Sequence, residues 1–162
     1  MKLVYSKHNI LRGAIIYASG DTIAAFILDE FSILRLLGMV MIGATFYAFE
    51  IPNYFAWIDK KTQSFTGWKL QLYKTSLAIL YFNPLWISRH LLFIILLTGQ
   101  SAELSWDLIR IGALSFLVNI PLSIIANYII QNVIRLKWRF FSSAIFSALM
   151  AIYYALSVVL FK

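Results

Sequence analysis

The sequence contains no cysteine, three prolines and seven acidic residues in 162 positions. The missing cysteines exclude disulfides, zinc–thiolate sites and thiol nucleophiles, and leave the redox compartment unreadable. Charge of either sign is scarce: 13% of residues are charged, where a soluble domain carries about a quarter. So thin a charged complement cannot cover a water-facing exterior. What is abundant is apolar, with 61% hydrophobic and 17% aromatic residues and a mean hydropathy of +0.79. That content excludes disorder. The length suits one domain, residues 1–162. These properties define a membrane protein.

Ionisable residues divide the chain into spans. Residues 111–134 and 140–161 carry no charge, and each exceeds the ~20 residues a helix needs to cross about 30 Å of hydrocarbon. Three further apolar stretches hold internal polar residues: 13–28 has Asp21, 36–58 has Glu50, and 75–102 has Arg89 and His90. None alternates apolar and polar residues as a barrel strand does. The pattern predicts an all-α, polytopic membrane helix bundle of about five transmembrane helices. They fall near 10–29, 36–58, 74–102, 108–134 and 139–161, with 59–73 as the longest connection. Asp21 and the lack of an A-x-A-like site argue against a cleavable signal peptide.

Lys and Arg between the spans number 3, 1, 4, 1, 3 and 1 in chain order. The rich segments are Lys2, Lys7 and Arg12, then Lys60, Lys61, Lys69 and Lys74, then Arg135, Lys137 and Arg139; the poor ones hold Arg35, Arg110 and Lys162. This alternation requires an odd number of spans, with the N-terminus on the cytoplasm-like or matrix-like side and the C-terminus opposite. Trp57, Trp68, Trp106 and Trp138 lie near span ends, where amphipathic rings favour the interface. The net charge of +7 then reads as topology and contact with anionic membrane lipid, not as a nucleic-acid footprint.

A charge near the bilayer centre costs roughly 2.5–3.5 kcal/mol, so each needs a reason. Asp21 lies nine residues from Arg12 and Glu50 nine from Asp59, about 13 Å along a helix. Arg89 and His90 lie mid-span. The pattern predicts an ion-pair cluster near the midplane, with Arg89 in reach of Asp21 or Glu50. Asp21 reads equally as a structural ion pair or a pathway residue, and His90 as a packed histidine or a proton relay. Ser115, Asn119, Ser123, Asn127 and Gln131 follow one i+4 ridge, with Pro121 in the same helix. A polar ladder some 24 Å long either lines a wet pathway or bonds neighbouring helices. Small-residue stripes, Ala14, Ala18 and Ala25 beside Asp21 and Ala144, Ala148, Ala151 and Ala155 in the last span, suit close packing. Pro52 is expected to kink the second helix and free the carbonyl of Ala48.

No G-x-S-x-G, H-E-x-x-H, phosphate loop or dinucleotide fingerprint occurs, and His8 and His90 are too far apart for an obvious metal site. The expectation is a protein that is not an enzyme and has no cofactor. Its partners would be membrane lipid and a small polar or ionic solute, with room for a homo-oligomer.

The order of these landmarks resembles the Mpv-seventeen and 22-kDa peroxisomal membrane protein family. Gly20-Asp21 looks like that family's Gly-Asp motif, and Arg35, Gly43, Tyr54-Phe55 and Ile58-Asp59 match its Arg…Gly…Trp-Tyr-x-x-Leu-Asp pattern without a gap. Pro84 leads to Gly99-Gln100-Ser101-Ala102 and Trp106 in the family's spacing; Asn119, Pro121 and Ala126-Asn127-Tyr128 then resemble its Asn-Tyr…Trp-Pro…Asn-Phe stretch. Ala48-Phe49 stands where the family has Gly-Pro. The resemblance implies an organelle-type channel or small-solute transporter, in an organellar inner or peroxisomal membrane. A second resemblance, to the bacterial L-alanine exporter family, rests on Asp21-Thr22, Pro52…Asp59, Gly67-Trp68 and Pro84, and implies an amino-acid exporter of the cytoplasmic membrane. The non-transport alternative is a structural or assembly membrane protein.

Overall fold

The computed structural model describes residues 3–82, 84–99 and 106–160, with the backbone alone at Pro84, Thr98, Asp107, Leu108 and 153–160. The described chain is helical almost throughout: α1 (Lys7–Ile27), α2 (Ile33–Ile42), a π-helical turn (Gly43–Tyr47), α3 (Ala48–Lys61), α4 (Gly67–Tyr81), α5 (Pro84–Thr98), α6 (Asp107–Asn132) and α7 (Leu136–Leu160). α2, the π turn and α3 follow one another without a break in helix. Among the described residues, four stretches are long and apolar enough to cross a membrane: Lys7–Ile27, Ile33–Lys61, Gly67–Leu97 and Ile109–Asn132. α7 adds a fifth long helix of 25 residues.

Local chemistry sets the ends. The Ser6 hydroxyl accepts from the Asn9 N–H and starts α1, and Ser32 does the same for Arg35 at the start of α2. α1 stops in a Schellman turn: Glu30 N–H reaches back to the Ala25 carbonyl and Asp29 N–H to that of Phe26. Asp29 holds the left-handed position at φ 56°, a place that Asp tolerates better than most side chains. Gly99, at φ 72°, ends α5 in the same left-handed conformation.

The span expected over 74–102 differs from what is found. It begins seven residues earlier, at Gly67, and is broken between Tyr81 and Pro84. Lys74 does not end a helix, because its ammonium pairs with Asp59 at 2.6 Å and the charge is neutralised in place. Pro84 does end one: it has no N–H to continue α4, disfavours helical geometry at the residue before it, and suits the first turn of a new helix. The connection expected over 59–73 shrinks accordingly to 62–66.

The helices form two compact units, one of residues up to Trp57 together with those from Leu136 onward, the other of Ile58–Arg135. In the first, α1 packs on α2, the π turn and α7. Asp21 meets Arg35 while Gly13 meets Gly43, so α1 and α2 run antiparallel. Arg12 meets Trp138 while Gly20 meets Ala148, so α1 and α7 run parallel. In the second unit α6 packs on α4 and α5.

α6 is built inside out. Asn119, Asn127 and Gln131 are buried, whereas Leu114, Leu117, Val118, Leu122, Ile125 and Ile129 are exposed. An apolar outer face of that extent suits lipid rather than water. This is a membrane-embedded helical bundle.

Candidate functional site

Three polar arrangements stand out among the described residues, and each follows from a local feature of the helix that carries it.

The first joins α1 to α2. Three residues after the Ser32 cap, Arg35 turns back across the hairpin and grips Asp21 with two hydrogen bonds, Nε to Oδ2 and Nη2 to Oδ1, each 2.8 Å. Both side chains are 4% exposed. A third bond, 3.1 Å from Nη1 to Oε2 of Glu30, ties the same guanidinium to the hairpin turn. Planar fork-on-carboxylate contact is the strong form of this interaction. The partner of Asp21 is therefore Arg35, a residue whose charge reads in the sequence as a loop marker, and not Arg89. Asp21 lies six residues from the end of α1 and four from its centre.

The second surrounds the π turn. Gly13 and Gly43 face each other so closely that a Cβ on either would collide with the other's carbonyl. The turn redirects the Ala48 N–H to the carbonyls of Gly43 and Thr45, leaving that of Ala44 without its usual partner four residues on. The Tyr5 hydroxyl fills this vacancy, donating to Ala44 O at 3.0 Å. Six residues past the turn, Asn53 clasps the backbone of Val4: Val4 N–H donates to Oδ1, and Nδ2 donates to the Val4 carbonyl, both at 2.8 Å. The same Nδ2 reaches the Phe49 carbonyl. The segment before α1 thus straps the region where Pro52 withholds a backbone donor. Tyr17 and Tyr47 pack ring to ring beneath it, with centroids 4.5 Å apart.

The third is the polar ridge of α6. Asn119 and Asn127 are buried, and each donates from Nδ2 to the carbonyl four residues back, Ser115 and Ser123 respectively, at 2.9 Å. Ser123 is half-buried, Gln131 fully buried and Pro121 exposed. For Asn127 that bond is the one hydrogen bond it makes among the described residues. Asn132 and Tyr128 also bond α4. Asn132 Nδ2 donates to Thr75 Oγ1 at 3.1 Å, and the Tyr128 hydroxyl to Gln71 Oε1 at 3.2 Å. Neither belongs to the i+4 ridge; the signal available was the polar pair Gln71 and Thr75, themselves one turn apart on α4.

The remaining sequence candidates are placed as follows. Glu50 is half-buried on α3, and Arg89 and His90 are half-buried on α5. His90 stacks on Trp86 with the ring planes parallel, 5.7 Å between centroids. Pro84 opens α5, Gly99 closes it, and Trp106 stands exposed just before α6. Gly20 lies against the backbone of Ala148. Gln100, Ser101 and Ala102 lie outside the described residues. Among the described residues no group of three or more His, Asp or Glu is arranged to hold a metal ion.

Comparison with known proteins adds nothing to this geometry: no family model, no curated protein and no solved structure matches the chain.

Proposed function

We propose that this protein is a membrane channel or small-solute transporter whose polar pathway follows the ridge of α6. The observation that carries the reading is Asn127. Asn127 is 2% exposed, yet among the described residues it spends one hydrogen bond, on its own helix. A buried amide has capacity for about four, and capacity left over in a polar face suits water or a passing solute. Resemblance to the Mpv-seventeen and L-alanine exporter families supports the same reading and makes L-alanine and other small zwitterions the first solutes to assay.

A structural role is the second reading, favoured by the satisfied bonds from Asn132 and Tyr128 to α4, which hold helices together without any pathway. Asn119→Leu and Asn127→Leu distinguish the two in proteoliposomes. A wetted ridge loses solute flux with its melting temperature nearly unchanged, because an apolar lining dewets the path. A ridge that only supports packing has no flux to lose. Undetectable flux in the wild type across small zwitterions, organic anions and inorganic ions overturns the transport reading.

A further inference from the structure

Arg12 sits five residues into α1 with its guanidinium over two rings of α7, 4.4 Å from the centroid of Trp138 and 5.4 Å from that of Phe141. Cation–π contact engages the flat face of the guanidinium and leaves the N–H donors directed outward around its edge. Among the described residues none of those donors is used in a hydrogen bond, and no carboxylate, Glu50 included, forms an ion pair with Arg12. The chain around it offers no counterion either. Residues 1–20 and 108–162 contain no Asp or Glu, Asp21 is committed to Arg35, and Asp29 and Glu30 follow the far end of α1.

The surroundings are those of a membrane boundary. His8, one turn before Arg12 on the same face of α1, is exposed, as are Lys7 and Lys137. On the other side the apolar surface begins at once: Leu11 and Ile15 are 61% and 56% exposed. On α7, Ile145 continues the face of Trp138 and Phe141 at the i, i+3, i+7 spacing and is also exposed. A fixed, unneutralised cation with unspent donors therefore lies where a basic end meets a lipid-facing wall.

We propose that Arg12, clamped by Trp138 and Phe141 and flanked by His8 and Lys137, binds the phosphodiester of an anionic membrane phospholipid. The aromatic clamp fixes the guanidinium so that its edge presents two parallel N–H groups to the phosphate oxygens, the geometry in which Arg recognises phosphate best. The acyl chains run along Ile15 and Ile145. Lys137 adds charge around the headgroup, strengthening attraction to anionic lipid, and His8 adds a ring N–H donor. This site is independent of the α6 ridge and stands or falls without the transport reading.

The test is native mass spectrometry of the full-length protein in detergent, titrated separately with phosphatidylglycerol and phosphatidylcholine. The wild type is expected to prefer phosphatidylglycerol, and Arg12→Gln to weaken that lipid about fivefold while leaving phosphatidylcholine unchanged. Trp138→Leu, which keeps every charge, is expected to lower the same preference by loosening the clamp. Lys61→Gln removes an equal charge at an exposed position on α3 and should have no effect. Equal binding of the two lipids, or equal losses in Arg12→Gln and Lys61→Gln, overturns the proposal. Displacement of the lipid by millimolar inorganic phosphate overturns its lipid part in favour of a free-anion site. Should Arg12→Gln fail to fold, the wild-type comparison, the phosphate competition and Trp138→Leu still decide the matter.

Discussion

Arg35 and Asp21 are joined by two parallel hydrogen bonds of equal length, 2.8 Å each, across the α1–α2 hairpin, with both side chains 4% exposed. Breaking a buried pair strands a charge, whereas removing both partners does not. Asp21→Leu or Arg35→Met alone is expected to destabilise by about 3–5 kcal/mol. The double variant should recover most of that loss. Denaturation in a single detergent checks the cycle, and additive losses would mean that the two side chains do not act as a pair.

Gly13, Gly20 and Gly43 mark backbone contacts. Alanine at any of them places a methyl into the facing helix, and forcing such a contact apart costs roughly 1–3 kcal/mol. Gly67 meets nothing within 4 Å but holds φ at 58°, so Gly67→Ala is expected to cost only about 1 kcal/mol, through the left-handed backbone alone. Melting temperatures of the four variants should separate into these two groups.

The strap from Tyr5 to Ala44 predicts a local effect. Tyr5→Phe removes one hydroxyl and its bond to the Ala44 carbonyl, a change of about 1 kcal/mol. Amide exchange should accelerate around Gly43–Tyr47 and stay unchanged in α6. Uniform acceleration along the chain would contradict the strap.

The parallel course of α1 and α7 predicts sidedness. The chain has no native cysteine, so single cysteines at Lys7, Asp29 and Lys137 report without a background. Lys7 and Lys137, both at helix starts, are expected to label from one side of the membrane and Asp29 from the other. Labelling of Lys7 and Lys137 from opposite sides would contradict the parallel packing.

Much of this architecture is legible before any coordinates. Uncharged runs are a length measurement, and a helix crossing lipid leaves few alternatives, so α1, α6 and α7 fall within three residues of the bounds read from charge alone. What escapes is anything decided by a partner. Lys74 looks like a boundary until Asp59 neutralises it, and Arg35 looks like a loop charge until Asp21 takes it inward. A trace of the latter was present: Ser32 three residues ahead of Arg35 is a cap signal that puts the arginine in a first helical turn. A helix start at Pro84 was readable for a similar reason. The π turn was not, because it depends on the approach of Gly13 to Gly43 from thirty residues away in the chain.

The pairing of the first helix with the last also orders assembly. Chains emerge N-terminus first, so α1 enters the bilayer before the segment that will cover Gly20 exists. Until α7 arrives, that glycine face has only lipid against it. The hairpin of α1 and α2 need not wait, since Arg35 and Asp21 neutralise each other as soon as both are inserted. Ile58–Arg135, which folds into its own compact unit, is likewise complete before α7 is made. Completion of the first unit is thus postponed until α7 is made, and a ribosome that stalls before Leu136 leaves behind an intact hairpin with an open seam, a surface for quality-control machinery to read.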